Sequence, residues 1–304
     1  MCDLTAAIYN DAEAARAHLE SIRWPNGPHC PHCGEADNVK LLEGKSHRPG
    51  LHKCYSCKGH FTVTVGTVFE RCRIPLNKWV LAAHLFASSK KGISAHQIHR
   101  TLGITYKSAW FMLHRLREAA AESNNTPIGG PGKTVEVDET FIGNDRSVKP
   151  KGQKKGRGYH HKYKVLTLVE RGGKARSFHV PSVSAKTLRP ILDEQLDKTS
   201  IVYTDEAGQY TQTTKPMFKK HDYVVHGANE YVRGDIHTNS IEGYFSIFKR
   251  GMKGLYQHCS KSHLKRYVAE FDFRYDHRVK LGFNDSERAE MLLAGIAGKR
   301  LQYQ

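Results

Sequence analysis

His237-Thr238-Asn239-Ser240-Ile241-Glu242-Gly243-Tyr244-Phe245-Ser246-Ile247-Phe248-Lys249-Arg250-Gly251 reads as one helix, followed by a basic, aromatic helix that runs to Arg278. Asn239, Glu242 and Lys249 are polar groups set among Ile241, Phe245 and Phe248, so some of them face a packed interior or a cleft. Residues three apart on a helix share one surface, which lets Asn239 and Glu242 point together at a metal ion held by other segments. Two segments qualify. Asp138 in Val135-Glu136-Val137-Asp138-Glu139-Thr140-Phe141-Ile142 and Asp205 in Ser200-Ile201-Val202-Tyr203-Thr204-Asp205-Glu206 each end a short apolar run. Three such points, far apart in sequence, suggest a carboxylate metal site assembled by folding.

The chain has 304 residues, 39% of them hydrophobic, which is enough for two or three modules with at least one sizeable core. Its formal charge of +17 favours a polyanionic partner, DNA or RNA. No apolar run approaches the roughly 18 residues a spanning helix needs, and the start, Met1-Cys2-Asp3-Leu4-Thr5, has no signal-peptide pattern. The expectation is a cytoplasmic protein associated with the nucleoid and not with a membrane. In that compartment seven cysteines point to metal before disulfides.

Residues 11–24 read as a short helix with Asp11 as N-cap, stopped by Pro25-Asn26-Gly27-Pro28. Cys30-Pro31-His32-Cys33 and Cys54-Tyr55-Ser56-Cys57 follow, with twenty residues between the pairs. Each Cys-x-x-Cys pair presents two thiolates, and two pairs at this separation make a closed, structural, tetrahedral zinc site. His29, His32 or His52 could replace one ligand, and a redox dithiol is the alternative; four thiolates are simpler. Residues 39–41, 51–53 and 61–69 alternate like strands, so the module reads as a zinc ribbon. Cys2, Cys72 and Cys259 lack a partner at ligand spacing and read as ordinary thiols.

From Pro75 to Ala121 the period becomes helical. One helix carries Leu76, Trp79, Val80, Ala83 and Leu85. A second runs from Ile93 to Gly103, and a third opens with Thr105-Tyr106-Lys107-Ser108 and closes with His114-Arg115-Leu116-Arg117. This is a helix-turn-helix pattern, in which Thr105, Tyr106, Lys107 and Ser108, with Arg115 further along, would meet DNA in the major groove. A three-helix packing unit without DNA contact is the alternative.

Asn124 to Gly132 is a linker by composition. Strands are expected at 134–142, 163–169, 175–180, 200–204 and 222–225. A helix is expected at 185–196, a short one follows Asp205, and the helix quoted above closes the series. Three strands, helix, strand, helix, strand, helix is the order of an RNase H-like α/β domain. The glycine-rich basic run 149–162 lies between the first two strands, where Lys154, Lys155 and Arg157 would grip phosphates; a solvated face is the alternative. The chain is thus expected to be multidomain: N-terminal helix and zinc ribbon 1–70, helix-turn-helix 71–123, linker 124–133, an α/β RNase H-like core with a mixed five-stranded sheet 134–283, and a C-terminal tail 284–304.

Phosphodiester cleavage and transfer need an activated nucleophile and charge stabilisation on the leaving oxygen, which two divalent ions roughly 4 Å apart provide. Mg²⁺ or Mn²⁺ prefers oxygen ligands and keeps several waters. Asp138 would bridge, and Asp205 would hold one ion. The third ligand is Asn239, through its carbonyl oxygen, or Glu242, which could instead sit behind Asn239 or pair with Arg250 or Arg266. Lys249 and Arg250 would meet phosphate. Glu136, Glu139 and Glu206 adjoin the two aspartates, and a shift in strand register would exchange them.

Together Arg23-Trp24-Pro25-Asn26-Gly27, Cys30-Pro31-His32-Cys33-Gly34, Val137-Asp138-Glu139-Thr140-Phe141-Ile142-Gly143, Tyr203-Thr204-Asp205-Glu206 and the His237–Gly251 helix resemble bacterial insertion-sequence transposases with a zinc ribbon ahead of a DDE-type core. The resemblance runs from about residue 10 to 280. It implies an RNase H-like, metal-dependent transposase that binds the terminal repeats of its element, cuts and rejoins double-stranded DNA, and works as a homo-oligomer on DNA. Its pattern of Asp, Asp, then Asn or Glu, then Lys matches Asp138, Asp205, Asn239 and Lys249, with Glu242 as the other version. A DNA-binding regulator with an inactive RNase H-like domain is the alternative.

Overall fold

The computed structural model describes residues 3–122, 126–145, 148, 159, 161–208, 210, 217–218, 220–225, 227, 230 and 232–301. The chain divides into two compact units, Met1–Ala121 with Phe283–Gln304, and Glu122–Gly282.

In the first unit α1 (Ala7–Asn10) precedes α2 (Ala12–Arg23), whose N-cap Asp11 accepts from the Ala14 N–H at 2.7 Å. β1 (Val39–Leu41), β2 (His52–Cys54) and β3 (His60–Phe61) form an antiparallel sheet in that order. The expected strand over 61–69 ends at Phe61. Gly66 (φ 71) breaks extension, and side-chain and backbone turns at Thr62, Thr64 and Thr67 take up the polar groups a ladder would use. α3 (Leu76–Ser88), α4 (Ala95–Leu102) and α5 (Tyr106–Ala120) follow, with Trp79, Phe86, Ile98, Met112 and Leu116 in their core. Gly103 ends α4 at φ 59, a left-handed cap that glycine supplies without strain.

The segment expected as a tail is a structural part of this unit. Asn284 and Glu287 form a capping box for the helix Asp285–Ala294, which packs on α3 and buries Ala289, Leu292 and Leu293. Arg288 donates to the Ala87 carbonyl, the Val68 N–H donates to the Ile296 carbonyl, and Lys299 donates to the carbonyls of Ala119 and Ala121. Apolar spacing at 289, 292 and 293 gives this helix one core-facing stripe, which a reading as tail overlooks.

The second unit is built on one sheet of order β6-β5-β4-β7-β8: β4 (Thr134–Ile142), β5 (Tyr163–Glu170), β6 (Ala175–Val180), β7 (Ile201–Thr204) and β8 (Lys220–Tyr223). β4, β5 and β6 are antiparallel, while β4, β7 and β8 are parallel, so the sheet is mixed. The last strand sits two residues earlier than its expected 222–225. Of the short helix expected after Asp205, Gly208 and Tyr210 are described and helical; Lys154, Lys155 and Arg157 of the basic run lie outside the described residues. Among the described residues the core has the element order and mixed sheet of an RNase H-like fold.

Strand alternation sorts the two faces. Val135, Val137, Leu166, Leu168 and Val202 pack with Leu188 and Leu192 of α6 (Ala185–Gln195). Ile142, Val165 and Val169 pack on the other face with Ile241, Phe245 and Phe248 of α7 (Asn239–Gly251) and with Leu264 and Phe271 of α8 (Lys261–Asp276). Between α7 and α8 lies a π-helical turn, Met252–Tyr256. Asp272 and Asp276, one turn apart on α8, accept from the backbone N–H groups of Ser177 and Ala175 on β6 at 2.9 and 2.7 Å.

Candidate metal centres

The sulfur atoms of Cys30, Cys33, Cys54 and Cys57 all lie within 4.8 Å of one another. Cys30 and Cys57 are 3.6 Å apart, and Cys33 and Cys54 3.7 Å. A tetrahedron with Zn–S bonds near 2.3 Å has S···S edges of about 3.8 Å, so the four donors fit zinc and fill its coordination. The neighbouring histidines stand outside the cluster's roles: His29 and His52 pack against Trp24, and His52 Nδ1 bonds the Gly50 carbonyl oxygen. N–H groups of the second knuckle, first that of Cys57, draw the Cys54 thiol down to about 7, while at Cys33 the lowering effect of the Glu35 N–H is outweighed by burial and the facing thiols, which push that thiol up to about 12.

The two knuckles differ after their last cysteine. Gly34 follows Cys33 at φ 80, whereas Lys58 follows Cys57 at φ 61. The left-handed conformation costs a residue with a Cβ about 1 kcal/mol or more.

In the second unit, Glu136, Asp138, Thr140 and Ile142 share the β4 face turned toward α7, while Glu139 faces the other way and accepts from the Tyr210 hydroxyl. Alternation thus separates Asp138 from Glu139. β7 pairs with β4 in parallel, Val202 opposite Val135 and Tyr203 opposite Glu136. Asp205 follows the last residue of β7, near enough that its charge acts on Asp138. Desolvation first, then the charges of Glu139 and Asp205, push the Asp138 carboxyl well above the usual range, while the Glu139 N–H and Lys249 act against this. An acid pair with so little cationic compensation suits hard divalent cations.

Glu136 is fully buried and organises the region. Its Oε2 accepts from the Ile241 N–H in the first turn of α7 at 2.9 Å, and its Oε1 from Arg171 Nε at 2.6 Å. Arg171 also donates to the carbonyls of Asp235 and His237, bonds His237 Nδ1, and lies over the Tyr203 ring at 4.9 Å. One ion pair therefore joins β4, β7 and the start of α7, the three segments that carry Asp138, Asp205 and the pair Asn239 and Glu242. Sequence reading treated Glu136 only as a possible register error and passed over Arg171. The signal available was the alternation Val135-Glu136-Val137-Asp138, which puts both acids on one face.

On α7, Asn239, Glu242, Ser246 and Lys249 form one stripe, opposite the buried Ile241, Tyr244 and Phe248. Asn239 and Glu242 are exposed. Glu242 accepts from the Thr238 hydroxyl at 3.3 Å, and Arg250 bonds the carbonyl and hydroxyl of Ser246, so the Glu242 to Arg250 pair is not formed. Arg266 bonds His263. Among the described residues the cysteines form the one group of three or more Cys, His, Asp or Glu within 4.8 Å, so Glu242 does not close that tightly on the aspartates.

In the first unit Thr105 caps α5: its Oγ1 accepts from the Ser108 N–H at 3.2 Å and donates to the Ser108 hydroxyl. Tyr106 and Lys107 are exposed beside it. Arg115 braces α5 to the turn segment: its Nη1 donates to the carbonyls of Val68 and Glu70 at 2.9 and 3.0 Å. No helix among the described residues is long and apolar enough to cross a membrane.

The profile of a transposase zinc-ribbon domain matches residues 10–60, and that of the ISXO2-like transposase domain matches residues 129–276. An uncharacterized protein in transposable element ISH50 of Halobacterium salinarum is 30% identical over 269 residues, covering 84% of this chain and 88% of that protein. Carrying the zinc-ribbon cysteines and the mixed-sheet core within these matches, the chain belongs to the ISXO2-like insertion-sequence transposases.

Proposed function

We propose that the second unit is a metal-dependent DNA strand-cleaving and strand-transferring centre, and that the first unit holds the ends of the element. The observation that carries this is the parallel pairing of β4 with β7, together with the charges of Asp205 and Lys249 acting on the buried Asp138 carboxyl. Asp138 and Asp205 would hold Mg²⁺ or Mn²⁺, which when bound activates the attacking oxygen and stabilises the leaving one. Lys249 then draws the scissile phosphate toward the acids, with Arg250 beside it.

For the third ligand the geometry favours Glu242. Ile241 is abreast of Glu136, and Met252 shares a core and a cavity wall with Ile142, so α7 runs along β4. Asp138 lies about 7 Å beyond Glu136, or four to five helical residues beyond Ile241. Glu242 and Lys249 then flank that level by about one turn each, and Asn239 is about two turns away. Asn239 at the helix start suits a role orienting Glu242 or the DNA.

In the first unit Thr105, Tyr106, Lys107 and Ser108 lead α5 into the major groove as the second helix of a helix-turn-helix. Two element ends must be processed together, which favours a homo-oligomer on DNA. The test is metal-dependent nicking and joining of DNA carrying the element ends. Asp138→Ala and Asp205→Ala should each lower it about a thousandfold, equivalent to about 4 kcal/mol. Glu242→Gln should lose far more than Asn239→Ala. Activity that survives both aspartate changes overturns this assignment of the centre, and DNA binding with no metal-dependent nicking by the unchanged chain leaves only a DNA-binding regulator.

A further inference from the structure

We infer that the second zinc knuckle and the strands beside it form a phosphodiester-binding site centred on Tyr55. This residue is 41% exposed, and the ammonium groups of Lys53, Lys40 and Lys58 lie 5.2, 5.9 and 5.9 Å from its ring centroid. Lys40 stands directly opposite Lys53 across the β1 and β2 pair, and Lys53 opposite His60 across β2 and β3. Like charges facing each other across a sheet weaken it.

Lys58 carries a second penalty, because it holds the left-handed conformation that the first knuckle gives to Gly34. Glycine there would relieve the backbone, so the retained side chain has another use. The two unfavourable features meet at one exposed aromatic ring. Among the described residues none of the three lysines has an ion-pair partner, and the carboxylate of the nearby Glu35 is engaged by the Ser56 hydroxyl and the Asp37 N–H. An uncompensated cationic cluster around a stacking surface is the chemistry that binds a nucleic-acid backbone, with the ring free to take a base or bond a phosphate.

The site rests on the DNA partner of the preceding reading and not on cleavage. It is tested on the full chain, zinc-loaded and without added Mg²⁺, by fluorescence anisotropy over a salt series. The probes are a short duplex of arbitrary sequence and its single strand. The combined Lys40→Gln, Lys53→Gln, Lys58→Gln variant should lower the slope of log affinity against log salt by about two to three, at about 0.9 per lost contact on duplex and about 0.7 on single strand.

Lys58→Gly separates binding from folding: it should keep its zinc, melt no earlier than the parent chain, and still lose about one from the slope. A slope unchanged in either variant overturns the site. So does an equal loss when the exposed Lys91, Lys186 and Lys280 are changed to Gln together. Tyr55→Leu identifies the occupant: a loss confined to single strand marks unpaired bases on the ring, and an equal loss on both marks the backbone of a duplex. No loss on either overturns the role of the ring. Metal-dependent nicking, measured separately, can fail without touching this result.

Discussion

The cysteine site and the carboxylate site proposed for the second unit meet the same requirement at different ranges. The four sulfurs come from two local knuckles between Cys30 and Cys57, and their separations already match a tetrahedral ion. The oxygen donors proposed for the second unit come from segments between residues 138 and 242, which Glu136 and Arg171 tie together without being proposed to touch the metal. A local site is completed by its ion. A dispersed site has to be aligned by the fold before any ion arrives, and its ligands remain open to substrate.

The contrast can be broken most forcefully at the ribbon. Removing zinc, or changing Cys54→Ser, should remove stabilisation on the order of 10 kcal/mol and unfold residues 30–61. The second unit's own transition should persist, as read by circular dichroism and zinc content. Loss of both transitions together would show that the ribbon is not a self-contained, metal-dependent module.

Next in size is the buried pair. Arg171→Ala leaves the Glu136 charge uncompensated and should cost about 3 to 5 kcal/mol. The double change Glu136→Met, Arg171→Met should recover part of that in urea unfolding while metal-dependent cleavage stays low. Recovery of activity in the double variant would mean that the pair stabilises without aligning anything.

The smallest effect concerns Asp272. Burial pushes its carboxyl up to about 6, against donation from Tyr244 and Ser177. A folded-state value above the ordinary 3.8 means that stability from this group is present below about pH 4 and is lost as pH rises through about 6. The loss is at most about 3 kcal/mol. Asp272→Asn should flatten that part of the stability profile of the second unit; an unchanged profile would locate the titration elsewhere.

Much of the ribbon and the core could be read from sequence because their signals are local. Cysteine spacing, the Asp11 N-cap, the β4 alternation and the apolar stripe of α7 each fit within a few turns or one strand. What was missed is non-local. Glu136 looks like a neighbour of Asp138 until the fold brings Arg171 and the Ile241 N–H to it. The helix Asp285–Ala294 looks like an appendage until α3 supplies its apolar partner. Strand alternation over 61–69 was a false signal, because threonine hydroxyls and Gly66 close turns as readily as they extend. The Val232–Arg233 and Ile236–His237 hairpin, turning at Gly234 (φ 59), was legible in its Gly234-Asp235 step and was passed over.

Asp272 and Asp276 have one more consequence, for how copies of the protein can meet. By occupying the outward amides at Ser177 and Ala175, they close that margin of the sheet to an added strand. Strand addition along Ala175–Ser177 of β6 is thereby blocked, so an assembly of copies that extended the sheet would have to displace the two carboxylates first.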